Sequence, residues 1–241
     1  MIFGPLGGAL LSGSLKIQNV QIDYTDCLTQ STNEFSTIPT NKYSQNFNTN
    51  SSSGLELPPE WRHERNTSSN IANASNCIIR FTLPTDLNPP VLFYYKLTNF
   101  FQNHRRYVKS VLEAQLNGKA LTADEVLSHG TCTPLQVAPD GKPYYPCGLV
   151  ANSLFNDTFL QPVLLNAVGT NNANETYNMT TQGIAWSSDR QRFQKTSYNA
   201  SQVAVPPNWV ERYPDGYTEE NLPDLSTMYE FQVSQNFEKN K

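Results

Sequence analysis

The sequence predicts a mainly β protein: an antiparallel β-sandwich with a few short helices and long loops, stabilised by disulfides. Three observations carry that expectation. Apolar side chains recur at every second residue in several short runs, and helical periodicity is thin. The chain also holds four cysteines in a background that owes its polarity to Asn, Ser and Thr more than to charge.

The strands come first. Val20, Ile22 and Tyr24 alternate with Gln21, Asp23 and Thr25, and Cys77, Ile79, Phe81 and Leu83 alternate with Ile78, Arg80 and Thr82. Val91, Phe93, Tyr95 and Leu97 alternate with Leu92, Tyr94 and Lys96; near the end, Tyr229, Phe231 and Val233 alternate with Glu230 and Gln232. Each run reads as a half-buried strand, and the Pro and Asn clusters between them favour antiparallel over parallel pairing. Thr122-Ala123-Asp124-Glu125 has the spacing of a capping box, with Gly130 as the stop, which predicts one helix of about two turns. A second short turn is expected across 148–154. Residues 28–59 are poor in apolar side chains and end in an Asn/Ser-rich stretch, so they read as a long, partly disordered surface excursion.

At 241 residues the chain is long enough to bury roughly 70–75% of its unfolded surface, as one large domain or two small ones. No repeat or clear domain boundary stands out. Charged residues make up 16% of the chain, against about 25% in an ordinary soluble domain. The net charge of −4 gives no reason to expect a nucleic-acid partner.

Cys27, Cys77, Cys132 and Cys147 allow three disulfide connectivities, of which sequential pairing is the simplest. Two such closures would contribute roughly 3–4 kcal/mol each. Sequons for N-glycosylation occur at Asn50, Asn66, Asn73, Asn156, Asn174, Asn178 and Asn199. Together with the cysteines they point to the secretory pathway. The opening residues 1–11 are apolar but far short of the ~20 needed to cross a bilayer. They lack the basic flank and cleavage site of a signal peptide, and read as the stub of a hydrophobic helix.

Catalytic chemistry has little to work with. His63, His104 and His129 lie far apart without metal-ligand spacing, and no nucleophile elbow, phosphate loop or dinucleotide fingerprint occurs. Asp23, Asp26, Asp189, Glu211 and Asp215 could in principle supply the two carboxylates of a glycoside hydrolase; as caps and ion-pair partners they need no such role. The cluster His104-Arg105-Arg106 with Lys109 has two readings. It either faces anionic headgroups or an acidic partner, or locks a corner, its stems packed on Phe100 and Tyr107. Trp186 and Trp209 sit in loop contexts, where such rings more often plug the end of a core than stand exposed.

One stretch is more specific than all of these: Tyr94-Tyr95-Lys96-Leu97-Thr98-Asn99-Phe100-Phe101-Gln102-Asn103-His104-Arg105-Arg106-Tyr107-Val108-Lys109-Ser110. With Asp23-Tyr24-Thr25-Asp26-Cys27, the runs 146–158 and 183–189, and Pro206-Pro207-Asn208-Trp209 continuing through 213–217, it resembles the Cdc50 family, accessory subunits of lipid-flipping P4-type ATPases. The resemblance implies two membrane helices flanking an exoplasmic β-sandwich with disulfides and N-glycans. Residues 1–15 would then be the end of the first span and its juxtamembrane segment, 16–235 the exoplasmic domain, and 236–241 a short tail. The sequence departs from the family pattern after Val233, where Ser234-Gln235 stand in place of the usual Trp-Met. The resemblance further implies a non-catalytic membrane subunit of the secretory pathway, without cofactor or metal. Its partner would be a P4-type ATPase catalytic subunit, supported in leaving the endoplasmic reticulum and in translocating phospholipid. Asn99, Phe100, Asn103, His104, Arg105, Arg106 and Trp209 are the expected partner contacts. The rival expectations are a secreted glycan-active enzyme and a glycan-binding or adhesion module.

Overall fold

The computed structural model describes residues 3–47, 57–65, 75–87, 89–167, 173–180, 184 and 186–227. The sequons at Asn50, Asn66 and Asn73 and the expected strand at 229–233 lie outside them. Where the sequence offers no boundary, the fold divides into two compact units, residues 1–97 and 98–241.

The first unit opens with helix α1 (Phe3–Leu15), which carries no acidic or basic residue and buries none of its side chains. At about 1.5 Å per residue its 13 residues reach ~20 Å, and no helix among the described residues is long and apolar enough to cross a membrane. Strand β1 (Asn19–Ile22) follows, then the single turn α2 (Cys27–Gln30) and strands β2 (Ser36–Thr37), β3 (Tyr43–Asn46), β4 (Glu60–Arg65) and β5 (Ser75–Arg80). All pairings are antiparallel: β1 with β3, and β2–β4–β5 in a second sheet. Residues 28–47, expected to belong to a surface excursion, therefore supply two strands, and Ile38 within them is fully buried.

Both sheets feed one core. Cys27, Ile38 and Trp61 form its buried centre, with Ile22 and Tyr43 from the β1–β3 pair and Cys77 and Ile79 from β5 packed around them. The register sets Trp61 opposite Ile79 and His63 opposite Cys77, so the period-two reading holds for Cys77 and Ile79, whereas Phe81 and Leu83, expected on the same face, lie past the end of β5 and are exposed. The other face carries a ladder in which Phe35 lies within 5.1 Å of the Arg62 guanidinium and 4.1 Å of that of Arg80. A disulfide joins Cys27 to Cys77.

The run from Val91 to Leu97 is a correction. It alternates like a strand but belongs to no sheet, and every residue in it is exposed. Alternation alone does not make a strand, because a strand also needs a ladder, and here neither phase of the pattern is buried.

The second unit is built from single helical turns: α3 (Arg105–Val108), α4 (Glu113–Leu116), α5 (Ala123–Ser128), α6 (Leu149–Asn152) and α7 (Ser187–Arg190). Between α6 and α7 lies the two-residue antiparallel pair β6 (Val163–Leu164) and β7 (Glu175–Thr176). Helix α5 starts on the expected capping box: the Glu125 N–H donates to the Thr122 hydroxyl, the Glu125 carboxylate accepts from the Thr122 N–H, and Gly130 follows with φ 65°. Turns this short cannot bury a continuous stripe, so two compact clusters make the core. One gathers Leu112, Val126 and the disulfide-bonded Cys132 and Cys147. The other gathers Tyr145, Tyr198, Val203 and Leu225.

Taken together, the described residues show small antiparallel sheets, few and short helices, and both expected disulfides.

Candidate interaction platform

The conspicuous 94–110 segment ends on a knot at Ser110, which is 1% exposed. Its hydroxyl donates to the Thr133 carbonyl at 2.9 Å and accepts from the Leu149 N–H at 2.8 Å, while its own carbonyl accepts from the Val150 N–H. One small residue thus ties the end of α3 to the Cys132 turn and to the start of α6. The chain can come this close only because position 148 is glycine: its φ is 98°, and a Cβ there would collide with the Ser110 carbonyl.

From that anchor the platform extends across α6. Phe100 packs edge-on against Tyr107, with centroids 5.6 Å apart, and the Ser153 hydroxyl donates to the Tyr107 hydroxyl at 3.1 Å. On the far side of α6 the Trp209 indole N–H donates to the Ala151 carbonyl at 2.9 Å, and the Asn208 N–H donates to the Asn152 side-chain oxygen. Trp209 continues into a stack with Tyr213, which meets Tyr217 edge-on. The 3-10 turn Pro207–Trp209, helix α6 and helix α3 are therefore held in line by named side chains.

Beneath them lies a buried amide. Gln115 donates to the Tyr144 carbonyl and the Tyr198 hydroxyl, both at 3.2 Å, and accepts from the Cys147 N–H at 2.9 Å. The Tyr198 hydroxyl in turn donates to the Leu121 carbonyl and accepts from the Leu121 N–H. Every polar atom of this pair is satisfied, which is the condition for burying it without penalty. The neighbouring phenols stay neutral. Burial pushes Tyr145 up to about 12 and Tyr217 further in the same direction, and the Tyr217 hydroxyl donates to the Tyr145 carbonyl.

The expected partner contacts divide into two groups. Asn99, Asn103, His104, Arg105 and Arg106 are exposed, and Phe100 is half-buried. Asn99 adopts the left-handed conformation, φ 57°, that Asn tolerates well. His104 caps α3 by accepting the Arg106 N–H on Nδ1 at 3.3 Å. No described residue forms an ion pair with Arg105, Arg106 or Lys109. Phe101 and Val108 add exposed apolar surface to the same segment. Trp209 belongs to the other group: at 8% exposure it supports the platform from within. Trp186 reverses its expectation; it is 80% exposed and plugs no core.

Asp23 and Asp26 converge on the Lys42 ammonium, at 3.1 and 2.6 Å. Hydrogen bonds from the Thr25 hydroxyl and N–H, then from Lys42, lower Asp23 to about 2. This knot sits within the Asp23–Cys27 motif and pins β1 to the turn before β3. Sequence reasoning missed Gln115 entirely. Its only trace is a lone amide set between the apolar residues of 112–116.

Comparison with known proteins fits this construction. The chain is 41% identical over 235 residues to the phospholipid-transporting ATPase accessory subunit LEM3 of Saccharomyces cerevisiae, covering 96% of this chain and 55% of that protein. It is 43% identical over 223 residues to the phospholipid-transporting ATPase accessory subunit CDC50 of Chaetomium thermophilum, covering 90% and 54% respectively. A third relative, the accessory subunit CRF1 of Saccharomyces cerevisiae, is 37% identical over 233 residues, covering 96% and 56%. The chain thus spans about half the length of the curated relatives it matches. The model of the LEM3 (ligand-effect modulator 3) family / CDC50 family matches residues 10–234, and the chain belongs to that family.

Proposed function

We propose that this chain is the exoplasmic part of a non-catalytic subunit that binds a P4-type phospholipid-translocating ATPase and supports its folding, export and transport cycle. The observation that carries the reading is family membership across residues 10–234, with relatives named as accessory subunits of phospholipid-transporting ATPases. The geometry supports it. Two disulfides and the hydrogen-bonded Gln115–Tyr198 pair brace the units, while a cationic and aromatic segment, 99–109, whose arginines form no ion pair with a described residue, is left on the surface. The uncharged, wholly exposed helix α1 suits a membrane-proximal segment. The sandwich arrangement belongs to the same proposal, and the two antiparallel sheets sharing one core in the first unit support it.

A rigid cap acts by differential contact. If Asn99, Asn103, Arg105 and Arg106 meet acidic surface on one conformational state of the pump more closely than on another, the cap lowers that state's free energy and shifts the cycle. ATP hydrolysis stays with the partner. The test is detergent co-purification of the full-length protein, with its partner identified by mass spectrometry. Recovery of a P4-type ATPase is expected, and recovery without one would refute the proposal. Turnover of a polysaccharide by the purified protein would instead favour the glycan-active alternative.

A further inference from the structure

Trp186 is an anomaly that family membership leaves unexplained. Its ring is 80% exposed, and Ile184, two positions before it, is 68% exposed. A loose chain is not the cause. Trp186 is the N-cap of α7, its carbonyl accepting from the Asp189 and Arg190 N–H groups. Downstream, Phe193 packs against the Tyr145–Tyr198 cluster, the Gln194 N–H donates to the Leu116 carbonyl, and the Ser197 N–H donates to that of Gly118. A large amphipathic ring is thus presented to solvent from a braced backbone, a placement that costs free energy unless something covers it.

Charge identifies the cover. Arg190, Arg192 and Lys195 follow the indole closely, all exposed, against the single carboxylate of Asp189. Arg192 and Lys195 form no ion pair with a described residue. Past the end of α7 the surface dips into a recess of about 420 Å³, lined by Arg190, Gln191, Gln194, Ser226 and Thr227, with Phe193 as an apolar wall. An indole and an aliphatic chain beside cations and hydrogen-bonding groups match the layers of a bilayer surface, where the ring sits at headgroup level and the cations meet phosphate. A protein partner fits less well. A stable interface takes about 800 Å² and roughly 20–30 residues from each side, and two bare apolar side chains fall far short of that. A hold on lipid needs only some inserted apolar area and an attraction of charge.

We infer that Ile184 and Trp186, with Arg192 and Lys195 behind them, form a lipid contact that rests the second unit on an anionic bilayer surface. The inference rests on the membrane-side placement proposed above. It adds a contact with lipid itself, apart in sequence from the 99–109 segment.

The chain supplies its own probe. Of its three tryptophans, Trp61 and Trp209 are 1% and 8% exposed, so a quencher in water or in lipid reports on Trp186. The 241-residue chain is mixed with phosphatidylcholine vesicles holding about 30% phosphatidylglycerol, with bromine on the acyl chains. The reading is taken from the ring and not from flotation, which the apolar helix α1 alone would satisfy. Trp186 emission should shift to the blue and lose its acrylamide quenching. Bromine should quench it at least about threefold more than on phosphatidylcholine alone. W186F should lose the signal, and R192Q/K195Q should lower it at least about threefold, since each cation near an anionic surface is worth about fivefold. Both variants should keep the parent's unfolding midpoint. A ring still open to acrylamide and untouched by bromine, on a chain that floats with the vesicles, would overturn this inference alone. So would full quenching in R192Q/K195Q or on phosphatidylcholine, or shielding of Trp186 only in complex with the ATPase in lipid-free detergent. A chain that does not float at all would overturn the membrane-side placement with it.

Discussion

Gly148 lies so close to the carbonyl of Ser110 that no side chain fits between them. Its φ of 98° and ψ of 172° fall in a region essentially reserved for glycine. Gly148→Ala is therefore expected to cost at least about 3 kcal/mol, from backbone strain and collision together. Gly130 is the control. It also has positive φ, but a Cβ there meets nothing within 4 Å, so Gly130→Ala should cost only about 1–2 kcal/mol. Guanidinium unfolding midpoints of the two variants would compare them directly, and equal losses would contradict the close approach.

Gln115 should be intolerant of apolar replacement despite its buried setting. Gln115→Leu leaves the Cys147 N–H and the Tyr144 carbonyl without a side-chain partner in the interior. A loss of about 2–4 kcal/mol is expected, since each stranded group costs about 1–3 kcal/mol. Tyr198→Phe, which removes the hydroxyl bonded to both backbone groups of Leu121, should lose about 1–3 kcal/mol. A double-mutant cycle by denaturant unfolding should show the two losses to be non-additive, because the residues share a hydrogen bond.

These two positions show what the sequence could and could not disclose. The capping box at Thr122 and Glu125 was legible because both partners lie within one turn. The inward placement of Cys77 and Ile79 was legible in the period of two, but the same alternation ran on through Phe81 and Leu83, which lie beyond β5 and are exposed. Gln115 was not, since a lone amide reads the same whether it faces water or three partners contributed from residues 144, 147 and 198. The run 91–97 misled for the converse reason: its alternation is real, yet alternation carries no information about whether a neighbouring strand pairs. Trp186 and Trp209 have similar local settings, and what separates them comes from distant residues, the Ala151 carbonyl that accepts the Trp209 indole N–H and the Tyr213 ring stacked on it.

The disulfides should stabilise their units to different extents. In the chain-entropy description, the 50-residue separation of Cys27 and Cys77 is worth about 4 kcal/mol, and the 15-residue separation of Cys132 and Cys147 about 3 kcal/mol. The double variants C27A/C77A and C132A/C147A should reproduce that order in denaturant unfolding. The reverse order would mean that packing, and not loop closure, sets their contributions.

Acid should loosen the first unit over a defined window. Asp23 is depressed from 3.8 to about 2 by the Thr25 hydroxyl and N–H and by Lys42. A carboxylate with a depressed folded value contributes stability that is complete above its unfolded value and is lost as pH falls through the folded one. The loss attributable to Asp23 should thus run between about pH 4 and pH 2. It should stay below about 1 kcal/mol, because the side chain is half exposed and solvent screens the pair. Asp23→Asn should flatten this part of the acid limb in pH-dependent unfolding while leaving the rest in place.

The platform should separate surface from support. Arg105 and Arg106 are exposed and form no ion pair with a described residue, so R105E/R106E should leave unfolding within about 0.5 kcal/mol of the parent. If the cationic segment meets an acidic partner, the same variant should weaken co-purification of the ATPase about tenfold, and high salt should weaken the parent complex in the same direction. Trp209→Ala acts from the other side. It removes a buried indole and its bond to Ala151, and should cost about 3–5 kcal/mol before any partner is present. A partner interface centred on residues 99–109 requires one variant that binds poorly while folding well and another that binds poorly because it folds poorly. If R105E/R106E kept full association at every ionic strength, the contact would have to lie elsewhere, and the exposed charge would be no more than a solvated face.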